Sequence, residues 1–338
     1  MVRSASTILV TGAGGMLGRA VCAALRRETR SPGPLGGATI VGWGRRPLPQ
    51  LSGDPAAVVP VPELENLDAY TACDVGDAGA VNQTLAAIAP DLVFHVAALN
   101  AFAAPDDLER VNVGGLAKIL DGLHHVGRCV RVVVVGSAAE LGSEGAKVSP
   151  ITEEAICRPE SAYGKTKHRA TQLALALPPG GCVDAVIARP FNLVGVGLDQ
   201  RLALASFARQ IAAVSRGERT SVGCGPLHTK RDYLDADDAA AALVELALHG
   251  QAGEIYNVCS GVGRSMGELL HALAALAGVS PILECDVSIP PGPLEVVGDP
   301  AKLMRTTSWR PATPIESTLA RLLAAAGVAA PLGERQAA

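Results

Sequence analysis

The chain has 338 residues, 49% apolar and 18% charged, with a net charge of −4. That composition excludes a disordered chain, and without a block of positive charge it offers no electrostatic footprint for nucleic acid. No apolar run approaches the ~20 residues of a bilayer span and no signal-peptide core precedes the first strand pattern. A soluble, cytoplasmic protein with neither nucleic-acid nor membrane partners is therefore expected.

Short β-branched runs alternate with Ala/Leu-rich amphipathic stretches. Residues 7–11 read as a buried strand, 16–27 as a helix and 39–43 as a second strand. Residues 44–69, with five prolines, read as a loop-like surface excursion. Further strands are expected at 92–96, 130–135 and 183–188, with helices over 105–125 and 161–177. The strands are continuous apolar runs, the signature of a parallel sheet covered on both faces. The pattern predicts an α/β fold, a doubly wound parallel (Rossmann) sheet with right-handed crossovers. After Pro190 the chain is richer in Gly, Pro and polar residues, apart from a helix and strand pattern at 235–248 and 254–258. Residues 1–189 plus about 233–259 are therefore assigned to a dinucleotide-binding domain. Residues 190–232 plus 260–330 are assigned to a smaller, discontinuous C-terminal substrate lobe. The eight cysteines stand no closer than 25 residues apart. That suits neither a zinc ribbon nor a CxxC pair, so scattered reduced thiols and no metal are expected.

Gly12, Gly15 and Gly18 follow the first strand in a G-x-x-G-x-x-G spacing. Such glycines let the backbone turn tightly and approach a pyrophosphate, at which the following helix aims its unpaired N–H groups. Asp74 follows the expected third strand, where a carboxylate either accepts from an adenine amino group or caps a helix. Tyr163 and Lys167 stand four apart on one helix face. An ammonium ~4–6 Å from a phenol lowers its pKa by ~1–3 units, which suits proton transfer; the alternative is a solvated face with a snorkelling lysine. Ser137 follows the strand at 130–135 through Gly136. There it either holds a substrate oxygen in the crevice of the sheet or serves as a turn residue.

In chain order, the chain carries TGAGGMLG (11–18), Asp74-Val75, His95-Val96-Ala97-Ala98, Asn112, VGSAAELG (135–142) and YGKTK (163–167). RPFNLVGVG (189–197), KRDYLDADD (230–238), EIYNVCSG (254–261) and SWRP (308–311) complete the series. Over nearly its whole length the chain thus resembles the extended short-chain dehydrogenase/reductases, the NAD-dependent epimerase/dehydratase family. The resemblance implies that Ser137, Tyr163 and Lys167 form a catalytic triad, with Asn112 supporting the lysine through a water and the backbone. It implies a dinucleotide cradled by Gly12, Gly15, Met16, Leu17 and Gly18, with Asp74 on adenine. Val75, Ala97, Ala98, Pro190, Tyr163 and Lys167 complete that cofactor site. Asn100, Ser137, Asn192 and Arg231 are implied for a nucleotide-sugar substrate, the last two at its diphosphate. A homodimer is expected by the same resemblance.

Residues 136–142, 189–192 and 230–233 look closest to GDP-4-dehydro-6-deoxy-D-mannose reductases. Leu141 stands where that pattern has Tyr, and Leu193 where it has His, which leaves base and sugar open. The 4,6-dehydratases carry an acid where this chain has Ala138-Ala139, and Glu140 is expected to point elsewhere. NAD-selective relatives end the second strand in an acidic residue. Here Gly44 takes that position, no Asp or Glu occurs from 31 to 53, and Arg45 and Arg46 follow. NADP(H) is therefore expected over NAD, with Arg19 as a third cation for the 2′-phosphate. The expected activity is NADPH-dependent reduction of a 4-keto group on a nucleotide-linked deoxysugar. The alternatives are an NAD-dependent sugar-nucleotide epimerase, a non-sugar ketoreductase and a catalytically silent dinucleotide sensor.

Overall fold

A computed structural model describes residues 6–45, 66–289 and 292–328. Its centre is a seven-stranded sheet of β1 (Thr7–Thr11), β2 (Thr39–Gly44), β3 (Ala69–Ala72), β4 (Leu92–His95), β5 (Val130–Val135), β6 (Val183–Pro190) and β10 (Ile255–Val258). The spatial order is β3-β2-β1-β4-β5-β6-β10, and every pairing is parallel. The order reverses between β1 and β4, and in such sheets ligands bind outside the carboxyl ends of the strands at that switch point.

Both faces of the sheet are covered. Alternate residues of β1 face opposite layers: Ile8 and Val10 enter one core and Leu9 the other. The first layer holds α1 (Met16–Thr29) and α6 (Ala236–His249); the second holds α2 (Ala78–Ile88), α3 (Gly114–His124) and α4 (Ala162–Leu175). All six residues of β5 are buried, Arg131 included. Its guanidinium meets Asp184 at 2.9 Å and the carbonyls of Ala247 and Gly250, which makes its burial tolerable.

The helix expected over 105–125 is interrupted. A turn at Pro105–Leu108 runs into a π-helical turn at Glu109–Val113 before α3 begins. That widened turn carries Asn112, and such turns are frequent at functional sites. The other expected strands and helices stand within two or three residues of their predicted ends. Of the Pro-rich stretch at 44–69, residues 46–65, and with them Arg46, lie outside the described residues.

Beyond β6, β7 (Asn192–Val194) pairs with β9 (Lys230–Asp235), which also carries β11 (Gly263–Ser265) and β13 (Glu295–Val296). β8 (Ser221–Cys224) pairs with β12 (Ile282–Cys285). α5 (Ala203–Ser215), α7 (Met266–Leu276) and α8 (Ile315–Ala325) enclose a further apolar core around Phe207, Leu269 and Leu319.

Candidate active site

A cleft of about 940 Å³ opens at the carboxyl ends of the sheet, between the glycine loop and β9. Its lining includes the site residues expected from the sequence except Asn112, which is buried behind it, Arg19, which turns away from it, and Arg46, which lies outside the described residues.

At one end the chain turns between β1 and α1. Gly12 has φ +69°, and a Cβ there would stand 2.8 Å from the backbone of Ala97. A Cβ on Gly18 would stand 2.1 Å from the Gly12 carbonyl oxygen. The first and third glycines therefore let the loop pack on the β4 loop and on α1. Gly15 is the least crowded of the three, since a Cβ there meets only the Gly12 oxygen, in a tight contact at 3.3 Å. It is also the N-cap of α1 and offers no side-chain cap. An uncapped helix start lined by Gly15, Met16 and Leu17 fits the phosphates of a dinucleotide.

Farther along, Gly44 ends β2, and Arg45 is exposed at the cleft edge. The N-cap of α2 is Asp77, which accepts from Gly79 and Ala80, so Asp74 does not cap that helix. Asp74 accepts from Gly76 N–H at 2.8 Å and meets Arg110 Nη1 at 3.3 Å. Burial pushes its carboxyl up, but the Gly76 N–H, Arg110 and Arg45 outweigh it and hold the pKa below the ordinary value. No motif points to Arg110. Arg19 stands elsewhere than expected: its guanidinium donates to the carbonyls of Gly14 and Val196 and is not part of the cleft lining. The reason is geometric: one turn into α1, that side chain reaches the back of the glycine loop.

Ser137 caps a short turn at Ala138–Glu140 in a reciprocal box. Its Oγ accepts from Ala139 N–H at 3.1 Å, and its own N–H donates to Glu140 Oε1 at 2.7 Å. Glu140 is fully buried beneath the cleft, as its expected direction requires, and also takes Thr171 Oγ1 and Arg189 Nη2. The S-x-x-E spacing announces this box, yet the sequence reading gave Glu140 no role. Glu140, Cys157 and His168 converge to within 4.8 Å, but the guanidinium of Arg189 reaches Cys157 Sγ at 3.4 Å and shares the space.

Tyr163 and Lys167 line the cleft from one face of α4, next to Ser137. The expected lowering of the phenol by the lysine is not found. Burial raises the Tyr163 pKa, the Ser137 hydroxyl draws it back, and the Glu140 charge raises it further. The Lys167 ammonium is turned onto the Val135 carbonyl, and burial pushes it down to about 8. Asn112 bonds to the backbone of the β4 loop and to the helix bearing Lys167. Its amide accepts from Leu99 N–H at 2.8 Å and donates to Leu99 O and Thr166 Oγ1, each at 3.2 Å. It thereby ties the β4 loop to the helix bearing Lys167. Nearby, Thr11 Oγ1 accepts from Ala97 N–H and shares a hydrogen bond of 3.1 Å with His95 Nδ1. Burial, then Lys167, pushes the His95 pKa down to about 3.

At the other end, Asn192 donates to Asp232 O at 3.0 Å, and Arg231 Nη1 donates to Lys230 O and Pro293 O. Asp232 is buried and accepts from Ser260, Gly261 and Gly298, while Asp235 takes Thr318 and Arg321. An Arg231 ion pair with either carboxylate is therefore not formed. Glu160 and Ser143, joined at 3.1 Å, also line this part. Asn100, in the cleft lining, donates to Asp199 at 2.7 Å, and Arg201, bonded to Asp199, stacks 4.2 Å from the ring centre of Phe102, also in the lining. The Arg201 bond holds Asp199 far below the ordinary carboxylate pKa. Among the described residues no helix is long and apolar enough to cross a membrane.

Residues 8–259 match the family model described as "NAD dependent epimerase/dehydratase family". The chain is 31% identical over 254 residues to GDP-6-deoxy-D-mannose reductase from Pseudomonas aeruginosa, covering 69% of this chain and 79% of that protein. It is 29% identical over 258 residues to probable UDP-arabinose 4-epimerase 3 from Arabidopsis thaliana, covering 70% of this chain and 62% of that one. Among solved structures, RMD from Pseudomonas aeruginosa complexed with NADPH superimposes with a TM-score of 0.77 at 26% identity, covering 95% of this chain and 99% of that one. A putative epimerase from Burkholderia cenocepacia gives a TM-score of 0.79 at 28% identity, covering 97% and 100%.

Proposed function

Because the chain belongs to the NAD dependent epimerase/dehydratase family, and is thus an NAD(P)-dependent enzyme, we propose that it is an NADPH-dependent reductase of a 4-keto group on a nucleotide-linked deoxysugar. One observation carries the reading. Ser137, Tyr163 and Lys167 converge on a cleft whose opposite end is an uncapped helix start, while Ala138 and Ala139 occupy the stretch where dehydration needs an acid. The 31% identical reductase from Pseudomonas aeruginosa supports the choice of reaction.

The glycine loop, Asp74, Val75, Ala97, Ala98 and Pro190 hold the dinucleotide in this reading. When bound, its reduced nicotinamide supplies a hydride. Ser137 receives a backbone N–H from Ala139, which leaves its own proton to donate to the substrate carbonyl oxygen. Tyr163, its pKa raised, is a protonated phenol at neutral pH and gives that proton to the developing alkoxide. Donors fixed before charge forms on one oxygen supply much of the stabilisation. Lys167 places a positive charge beside both groups, and Arg231 with Asn192 receives the diphosphate. Arg45 and Arg46 at the end of β2 select the 2′-phosphate.

The test is NADPH consumption with 4-keto-6-deoxy sugars linked to GDP, dTDP or UDP. One base is expected to support stoichiometric oxidation of NADPH. Interconversion of two nucleotide sugars without net consumption would establish the epimerase instead, the reading favoured by the epimerase relatives. Turnover of simple ketones alone would establish a non-sugar ketoreductase. Arg231→Ala is expected to raise the apparent substrate KM at least tenfold, and an unchanged KM removes Arg231 from the diphosphate site.

A further inference from the structure

Four of the eight cysteines, far apart in sequence, become neighbours in the fold. Cys129 and Cys182 precede β5 and β6, where Val130 donates to the Cys182 carbonyl, at the end of the sheet opposite the cleft. The second pair is closer to the site. Cys224 and Cys285 are direct partners in the parallel β8–β12 ladder, with their sulfurs 3.1 Å apart. They are the last pair of that ladder, which opens with Ile282 N–H on Thr220 O at 3.0 Å and closes with Asp286 N–H on Cys224 O at 2.8 Å. The register is thus set at the pair by a bond to Cys224 itself. Adjacent strands lie ~4.8 Å apart, inside the ~4.4–6.8 Å Cα window of disulfides. Small side-chain rotations bring the sulfurs to bonding distance.

We propose that Cys224 and Cys285 form a dithiol that a low-molecular-weight disulfide such as oxidised glutathione converts to an intramolecular disulfide joining β8 to β12. Cys285 is exposed and Cys224 buried, so the order of events follows. The Cys285 thiolate attacks a glutathione sulfur, forms a mixed disulfide and releases one glutathione thiolate. The Cys224 thiolate then attacks the Cys285 sulfur, breaks the mixed disulfide and releases the second. Two protein thiols are oxidised, one glutathione disulfide is reduced, and the two protons leave on the two glutathione thiols.

The bond ties together two chain segments that meet at the cleft. β8 leads into β9, which carries Arg231. β12 leads toward Pro293 and Val296 in the cleft wall, where Arg231 Nη1 donates to Pro293 O at 2.9 Å. Oxidation therefore stiffens the substrate end of the cleft, whatever substrate it takes.

The experiment incubates the reduced full chain with oxidised glutathione and maps cysteines by non-reducing digestion and mass spectrometry. The expected result is a Cys224–Cys285 cross-linked peptide and the loss of two titratable thiols. C129S/C182S is expected to give the same peptide; C285S, altered at an exposed position, is expected to fold and to lack it. Hydrogen exchange at residues 294–297 is expected to slow on oxidation in wild type and not in C285S. Full alkylation of both cysteines after the incubation, or glutathione persisting on Cys285, overturns the dithiol. Unchanged exchange at 294–297 despite the cross-link overturns its link to the cleft.

Discussion

The two ends of the cleft are made differently. The glycine-loop end is chiefly backbone: one strand, one turn and one helix start, contiguous in the chain from Thr7 to Gly18. The Arg231 end is built from separate segments, around residues 192, 231 and 293, that pack together only in the fold. Local chain geometry dictates the first, so few residues define it. The second depends on how distant segments pack, so single substitutions retune it without disturbing the fold. Members of one family can therefore share a cofactor cradle and differ in what stands opposite.

Tyr163→Phe is the sharpest way to separate the ends. Turnover is expected to fall ~10²–10⁴-fold, the usual contribution of a general acid, while NADPH affinity by fluorescence titration stays within about twofold. A residual rate above about a tenth of wild type at every pH would remove Tyr163 from the proton-donor role.

Lys167 couples the ends to stability. Its pKa is pushed from 10.5 down to about 8, so between those values the unfolded chain binds more protons than the folded one. The penalty, of order 3 kcal/mol at ~1.4 kcal/mol per unit, is fully present below pH 8 and is relieved as pH rises toward 10.5. Lys167→Met removes the titration. The Tm of the variant relative to wild type is expected to be most favourable below pH 8 and to lose that advantage through the same window. A Tm difference independent of pH contradicts the buried-ammonium picture.

Within the glycine loop, Gly18→Ala and Gly15→Ala are expected to part company. The Gly18 Cβ meets backbone at 2.1 Å, so that variant is expected to lose ~1–3 kcal/mol of stability, read as a Tm lowered by several degrees. Gly15→Ala, with one tight contact at 3.3 Å, is expected to lose less Tm than Gly18→Ala and to lose dinucleotide affinity. Equal Tm losses would mean that both glycines serve packing alone.

The smallest expected effect is at the cleft edge. Arg45→Ala, with Arg46→Ala, is expected to weaken NADPH about tenfold, the worth of a charge-assisted bond of ~1.5–3 kcal/mol less compensation, and to spare NADH. Equal losses for both dinucleotides, or a wild-type preference for NADH, would reverse the cofactor selection and favour the epimerase reading.

The sheet was legible because its strands are continuous apolar runs, and the glycine loop because its spacing sits between a strand and a helix. Ser137, Tyr163 and Lys167 were legible from motif order. The protonation states were not. Spacing places Lys167 under Tyr163, but only the packed structure reveals the Val135 carbonyl that claims the ammonium and the buried Glu140 that faces both. The sequence left Asp74 between adenine and a helix cap, and the structure gives the cap to Asp77. The cysteine pairs escaped for a related reason: sequence spacing carries no information about which strands become neighbours.

The contact among Asn100, Asp199, Arg201 and Phe102 has a consequence for traffic. Asn100 and Phe102 line the cleft, and Phe102 and the Arg201 side chain are exposed. Exposed ion pairs and ring stacks of this kind are weak and screened by salt. A ligand that enters past Asn100 and Phe102 is expected to part this contact while the cores on either side stay packed. Rising ionic strength is then expected to speed both its entry and its escape.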